Sequence, residues 1–269
     1  MFKTRLLSGI VLVILAIALI VAGGDVLLAS TLVISCIGMY ELYRVFEVQK
    51  SLLAIVGYGT AVAFYANLKW QFLPEVLLLL MAFSILLMFV FVFAYPKYHS
   101  RQVMAVFFGF FYVAIMLSYV YQIRELPKGL YLAFLVFLCS WGCDTCAYCV
   151  GMLIGKHKMS PKLSPKKSVE GAVGGVAGAA LLGVIYAAAI GKKLSGDVNY
   201  MVVFAVICAV GALISMVGDL AASAIKRNQG IMDYGKLIPG HGGILDRFDS
   251  VIFIAPVIYY LAQALVGTL

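Results

Sequence analysis

Ser223–Asp249, SAIKRNQGIMDYGKLIPGHGGILDRFD, lies between two long apolar runs, the second of which is the last in the chain. It is a polar island with both signs of charge. Its cations are Lys226, Arg227, Lys236 and Arg247, and its anions are Asp233, Asp246 and Asp249. His241 sits in the turn Pro239-Gly240-His241-Gly242-Gly243, and Asp219 lies just before the stretch. A charged loop bounded on each side by about a bilayer's thickness of apolar residues is a membrane-edge connection. Clustered acids beside clustered bases at such an edge suit divalent metal ions holding phosphates.

The rest of the chain agrees. Of 269 residues, 64% are hydrophobic and 12% charged, and the mean hydropathy is +1.05. A soluble domain has roughly 45–50% apolar and about 25% charged residues. The apolar runs are about 17–25 residues long, which suits helices and not the shorter strands of a barrel. The expected fold is therefore an all-α, polytopic integral membrane bundle. The first run is followed by Gly23-Gly24-Asp25 and at once by another run, so it reads as a retained span and not as a cleaved signal. The net charge of +8 fits topology and anionic head groups, and no nucleic-acid motif is present.

Nine apolar runs stand out: Leu6–Ala22, Val26–Phe46, Leu52–Leu68, Val76–Tyr95, Val103–Tyr121, Gly129–Gly155, Ala172–Ile190, Met201–Asp219 and Phe248–Val266. Nine spans put the termini on opposite sides of the membrane. Fifteen of the 20 Lys and Arg residues then fall on the side of the N-terminus. The positive-inside rule predicts a cytoplasmic N-terminus and an outside C-terminus, with the loops Lys156–Gly171 and Leu220–Arg247 both cytoplasmic. The chain reads as a single membrane domain, 1–269. Helices of 1–128 would serve as scaffold and lipid access, and 129–269 as the catalytic half. In the first half, Glu41 with Arg44 one turn on reads as an interfacial ion pair.

Six cysteines lie in apolar runs. Cys143, Cys146 and Cys149 have iron–sulfur spacing, but on a helix they form a drifting stripe and read as small packing residues. Asp144 stands deep in the sixth run, where a carboxylate is costly unless paired, metal-bound or facing a wet cavity. The basic loop after that run contains Ser164-Pro165-Lys166-Lys167-Ser168-Val169-Glu170-Gly171. Repeated Ser-Pro stiffens it, and Ser168 with Glu170 marks a helix start, an arrangement suited to phosphate. The alternative is attraction of a polybasic patch to anionic lipid. Gly171, Gly174, Gly175 and Gly178 form small-xxx-small pairs for close approach to the sixth or eighth span. Asp219 ends its apolar run, and a carboxylate at a helix C-terminus opposes the dipole unless a cation relieves it. Asp246 and Asp249 share a face at the start of the last run. These acids suit Mg2+, alone or with a second cation, and Gly242 and Gly243 suit exposure of backbone N–H groups to an anion.

These motifs resemble the phosphatidate cytidylyltransferases, or CDP-diacylglycerol synthases. The resemblance rests on Ser223, Lys226-Arg227, Asp233, Pro239-Gly240-His241-Gly242-Gly243, Asp246-Arg247 and Asp249. It extends to Asp144-Thr145-Cys146-Ala147-Tyr148 and to the Ser164–Gly171 stretch. Met232 stands where the family usually carries Lys, and Ser168 where Thr is usual. The resemblance implies CTP and phosphatidic acid as substrates and CDP-diacylglycerol and pyrophosphate as products. It implies a bacterial cytoplasmic membrane with the site facing the cytoplasm, among membrane lipids; a homodimer is compatible with it, and no nucleic acid is involved. Asp219 and Asp246 are the expected metal ligands, and Asp144, Lys226, His241 and Asp249 the expected catalytic set. Ser164, Lys166, Lys167, Glu170, Ser223, Arg227, Gly242, Gly243 and Arg247 are expected to bind substrate phosphates. Two other readings stand beside it: a different CTP-dependent membrane lipid kinase or phosphotransferase, and a lipid or ion transporter. The pattern of the CDP-alcohol phosphotransferases is not found, and neither is a transporter-like internal repeat.

Overall fold

A computed structural model describes residues 2–194, 198–240 and 242–266, with side chains described from Leu7 onward apart from Lys192. The expected site residue His241 lies outside the described residues. Among the described residues, nine helices account for the nine apolar runs: α1 Phe2–Ala22, α2 Gly24–Val45, α3 Leu52–Trp70, α4 Val76–Phe93, α5 Ser100–Glu125, α6 Gly129–Ile154, α7 Val169–Ile190, α8 Tyr200–Asn228 and α9 Leu245–Val266. Eight of these are long and apolar enough to cross a membrane, and in α1 the stretch whose side chains are described, Leu7–Ala22, is apolar as well. The protein is a polytopic helical membrane protein, as its composition requires. A two-stranded antiparallel hairpin, β1 Lys158–Ser160 and β2 Ser164–Ser168, joins α6 to α7.

The chain forms two compact units. The first holds the described residues of Met1–Ser118 and Asp233–Arg247; the second holds those of Tyr119–Met232 and Phe248–Leu269. This differs from the boundary expected at 128/129. The segment Asp233–Arg247 packs with the N-terminal helices.

In the first unit, Leu42, Tyr43, Phe64, Tyr65 and Phe110 form the core. Tyr43 donates its hydroxyl to the Val106 carbonyl at 2.9 Å. A Cβ on Gly109 would meet the Tyr43 ring at 2.4 Å, so the ring occupies space that only glycine leaves. Residues Phe110–Ile115 of α5 form a π-helical turn. Tyr65 donates to the Ala114 carbonyl in that turn at 3.3 Å, a typical way for a widened turn to find a partner. By contrast α4 buries only Phe83 and Leu87 and leaves its other, apolar faces exposed.

In the second unit α7 lies against α6 and α8. A Cβ on Gly174 would stand 2.5 Å from Val150, and one on Gly178 would stand 2.5 Å from Cys146. A Cβ on Gly183 would stand 2.7 Å from the Phe204 carbonyl of α8. The small-residue face brings backbones close, as its spacing predicts. Cys146 is part of that contact. All six cysteines are free, in keeping with their reading as packing residues.

Candidate active site

Helix α8 does not stop where its apolar run stops. It continues to Asn228, which places Asp219 inside the helix and corrects the argument that Asp219 opposes a C-terminal dipole. The dipole is complemented instead by Lys226 and Arg227 in the last turn. Asp219, Ser223 and Lys226 are spaced i, i+4, i+7, and so lie along one stripe of α8. What relieves the Asp219 carboxylate is an ion pair with Lys167 at the end of the hairpin, both side chains about a quarter exposed.

Lys167 belongs to a cavity of about 310 Å3 within the second unit. The wall of α6 contributes Asp144, Ala147, Tyr148, Gly151 and Met152. The hairpin adds Met159, Ser164, Lys166, Lys167 and Ser168, α7 adds Gly171 and Ala172, and α8 adds Met216. Asp144 is thus a carboxylate facing a cavity, one of the three conditions its depth allowed. A π-helical turn at Leu138–Gly142 comes immediately before it; such turns often occur beside functional side chains. The lining combines two ammonium groups and a carboxylate with apolar methionine and alanine surface. That combination suits an anionic head on an apolar body.

Local chemistry builds the cavity's floor. Ser168 is the N-cap of α7, and its hydroxyl accepts the Gly171 N–H at 3.1 Å. Glu170 accepts the backbone N–H groups of Lys156 at 3.1 Å and His157 at 3.2 Å, and contacts His157 Nδ1 at 2.5 Å. This carboxylate ties the end of α6 to the start of α7. Glu170 thereby closes the hairpin that carries Lys166 and Lys167. The structure therefore brings Asp144, Ser164, Lys166, Lys167 and, through its ion pair, Asp219 together. Lys226 is buried at 8% exposure and does not line this cavity. Arg227 is exposed and donates to the Ile231 carbonyl at 3.1 Å. Asp249 is buried in α9, with Oδ1 accepting the Ser250 N–H at 2.7 Å. Met232 is 77% exposed.

In the first unit the segment Asp233–Arg247 folds on its own acids. Asp246 Oδ2 accepts the Tyr234 N–H at 2.8 Å and the Gly243 N–H at 2.9 Å. The Gly243 N–H, expected to face an anion, is used inside the loop instead. Gly242 takes φ +85°, a conformation that favours glycine. A second cavity, of about 650 Å3, is lined by Asp233, Lys236, Gly240, Gly242 and Arg247 among others. The Arg247 Nε is buried without a hydrogen-bond partner among the described residues.

Two residues of α2 were not identified as part of this loop. Glu41 is 4% exposed and accepts the Ile244 N–H at 3.1 Å and the Leu245 N–H at 2.8 Å. Arg44 donates to the Tyr234 carbonyl. The expected Glu41–Arg44 ion pair is not formed among the described residues; each side chain reaches the loop. The available signal was an acid and a base one turn apart in an otherwise apolar run.

Hard oxygen donors are present in both units, Asp144, Asp219 and Asp249 in one and Asp233 and Asp246 in the other. Among the described residues no three His, Cys, Asp or Glu side chains gather within either unit. Carboxylate oxygens are donors of the kind Mg2+ takes, commonly one or two of them completed by substrate phosphates and water.

The model of the cytidylyltransferase family matches residues 3–265. The chain is 30% identical over 275 residues to the phosphatidate cytidylyltransferase of Bacillus subtilis, covering 96% of this chain and 97% of that one. It is 28% identical over 264 residues to that of Staphylococcus epidermidis, covering 96% and 98%. With the phosphatidate cytidylyltransferase of Thermotoga maritima it shares 31% identity over 172 residues, 64% of this chain and 63% of that one. By a match over almost its whole length, the chain belongs to the cytidylyltransferase family.

Proposed function

We propose that this protein transfers a cytidylyl group from CTP to phosphatidate, forming CDP-diacylglycerol and releasing pyrophosphate. A phosphatidate oxygen attacks the α-phosphorus of CTP. The bond from that phosphorus to the pyrophosphate oxygen breaks, and its electron pair leaves with pyrophosphate. The nucleophile is already ionised near neutral pH, so positioning and charge compensation carry the rate more than a strong base does.

The observation that carries this reading is the cavity where Lys166, Lys167 and Asp144 meet apolar surface beside the Lys167–Asp219 pair. Lys166 and Lys167 would hold a substrate phosphate, with Ser164 as a hydrogen-bonding partner. The Met152, Met159 and Met216 side chains would face its apolar part. Mg2+ is the proposed cation, with Asp219 as a candidate oxygen donor in the second unit and Asp246 as one in the first. That ion would offset the repulsion between two anionic substrates and the charge on the leaving pyrophosphate. In this reading Asp144 and Asp249 support the ligands, Lys226, Arg227 and Arg247 meet phosphates, and His241 lies near the pyrophosphate or the metal.

The bias of Lys and Arg towards the hairpin and the Ser223–Asp249 side supports a cytoplasmic site in the bacterial cytoplasmic membrane, with the N-terminus inside. The ion pair of Lys69 with Asp25, at 2.6 Å, joins two residues assigned to the outside.

The test is pyrophosphate release from the purified full-length protein in detergent, with Mg2+, phosphatidate and each nucleoside triphosphate in turn. Release with CTP that requires both lipid and metal is the expected result. No release with CTP from folded protein would overturn the reading.

A further inference from the structure

Glu41 and Arg44 stand one turn apart on α2, far in sequence from the loop they hold. The Glu41 carboxylate spends one oxygen on the Ile244 N–H and the other on the Leu245 N–H. These are N–H groups at the start of α9, which have no partner within their own helix. A Cβ added to Gly235 would lie 2.1 Å from Glu41 Oε1, and one added to Gly243 would lie 2.4 Å from it. The loop backbone is therefore packed directly onto the carboxylate, and glycine at both positions permits it. Arg44 takes the Tyr234 carbonyl, while the Tyr234 N–H goes to Asp246 Oδ2. The peptide groups around Tyr234 and Gly243 to Leu245 are thus held from α2 on one side and by Asp246 on the other. A buried carboxylate with both oxygens engaged by backbone N–H groups is a rigid clamp.

We infer that Glu41, assisted by Arg44, is a positioning residue for cytidylyl transfer: it holds the Tyr234–Leu245 loop and so fixes the orientation of Asp246. This rests on the transfer reading above. Glu41 touches neither substrate in this scheme and acts through the loop. Glu41 thus takes the Ile244 and Leu245 N–H groups, so these two are not offered to a substrate phosphate.

The test uses full-length protein in detergent. In Glu41→Gln one oxygen still accepts, but the amide NH2 meets the second backbone N–H donor to donor. Hydrogen–deuterium exchange over 233–247 is expected to rise while exchange over α3 and α7 is unchanged. With CTP, phosphatidate and Mg2+, kcat is expected to fall roughly 10-fold to 100-fold, the scale on which misplacement of a catalytic group acts. KM for phosphatidate should hardly move, and Glu41→Asp, which keeps the charge, should recover part of kcat. Unchanged exchange over 233–247 or an unchanged kcat per folded molecule would overturn the inference. If Glu41→Gln does not fold, Arg44→Gln, at an exposed position, carries the same two readouts with the same meaning. Wild-type protein that releases no pyrophosphate but shows the exchange change would remove the transfer reading and leave the clamp standing.

Discussion

The Lys167 ammonium and the Asp219 carboxylate are paired, joining the end of the hairpin to the middle of α8. One residue lies in the Ser-Pro-Lys-Lys motif and the other among the acids proposed to hold Mg2+. Asp219 already attracts positive charge from within the chain, and Lys167 is already oriented towards the place where anions are expected to gather.

Asp219→Asn should therefore act on rate and not on stability. A partly exposed ion pair contributes about 0–1 kcal/mol, so the thermal midpoint should barely change. Losing a metal-ligating carboxylate should lower kcat by about 100-fold or more, the several-kcal/mol scale of metal-ion charge stabilisation. Steady-state pyrophosphate release and a thermal melt of the same preparation check both expectations. Chelation of Mg2+ should abolish turnover in wild type.

At Asp246 two substitutions separate chemistry from folding. Asp246→Asn keeps an oxygen for the Tyr234 and Gly243 N–H groups, so a folded, inserted protein with almost no turnover is expected. Asp246→Ala leaves both buried donors without that acceptor, at about 1–3 kcal/mol each. It should lower the thermal midpoint clearly, as a melt in detergent would record.

For the hairpin, Glu170→Ala removes the carboxylate that gathers Lys156 and His157. Hydrogen exchange over 156–168 should rise, and the KM for one or both substrates should increase by about 10-fold as Lys166 and Lys167 lose their fixed setting. Global stability should change little, because the bonds lie at the protein's exposed edge.

Close helix packing makes the opposite prediction. Gly174→Leu places a side chain where Val150 already stands. Overpacking costs about 1–3 kcal/mol and more where backbones are involved. A loss of monodisperse folded protein on size-exclusion chromatography is expected, with activity falling in step with the folded fraction.

Much of the fold was legible because lipid imposes one rule on every span: backbone polar groups must be satisfied within the helix, and the faces must be apolar. Each apolar run from Leu6–Ala22 to Phe248–Val266 became a helix. Ser168 as an N-cap and the glycine face of α7 were equally readable, since both depend on neighbours a few residues away. The end of α8 was not readable. The apolar signal stops at Asp219, but the residues beyond it, Leu220-Ala221-Ala222-Ser223-Ala224-Ile225, propagate a helix whether or not they lie in lipid.

The sequence by itself determined the class of protein, the apolar helices and the residue types proposed to handle phosphate and metal, because these follow from composition, period and local spacing. Only the tertiary structure decided where those residues work. Glu41 reads as half of an interfacial ion pair until α2 meets the Asp233–Arg247 loop, and only the fold brings the Lys156 and His157 N–H groups to Glu170. The partners Ile244 and Leu245 lie more than two hundred residues from Glu41. A hydrogen bond over that separation leaves no periodic trace in the sequence, since packing alone selects which carboxylate meets which unsatisfied N–H.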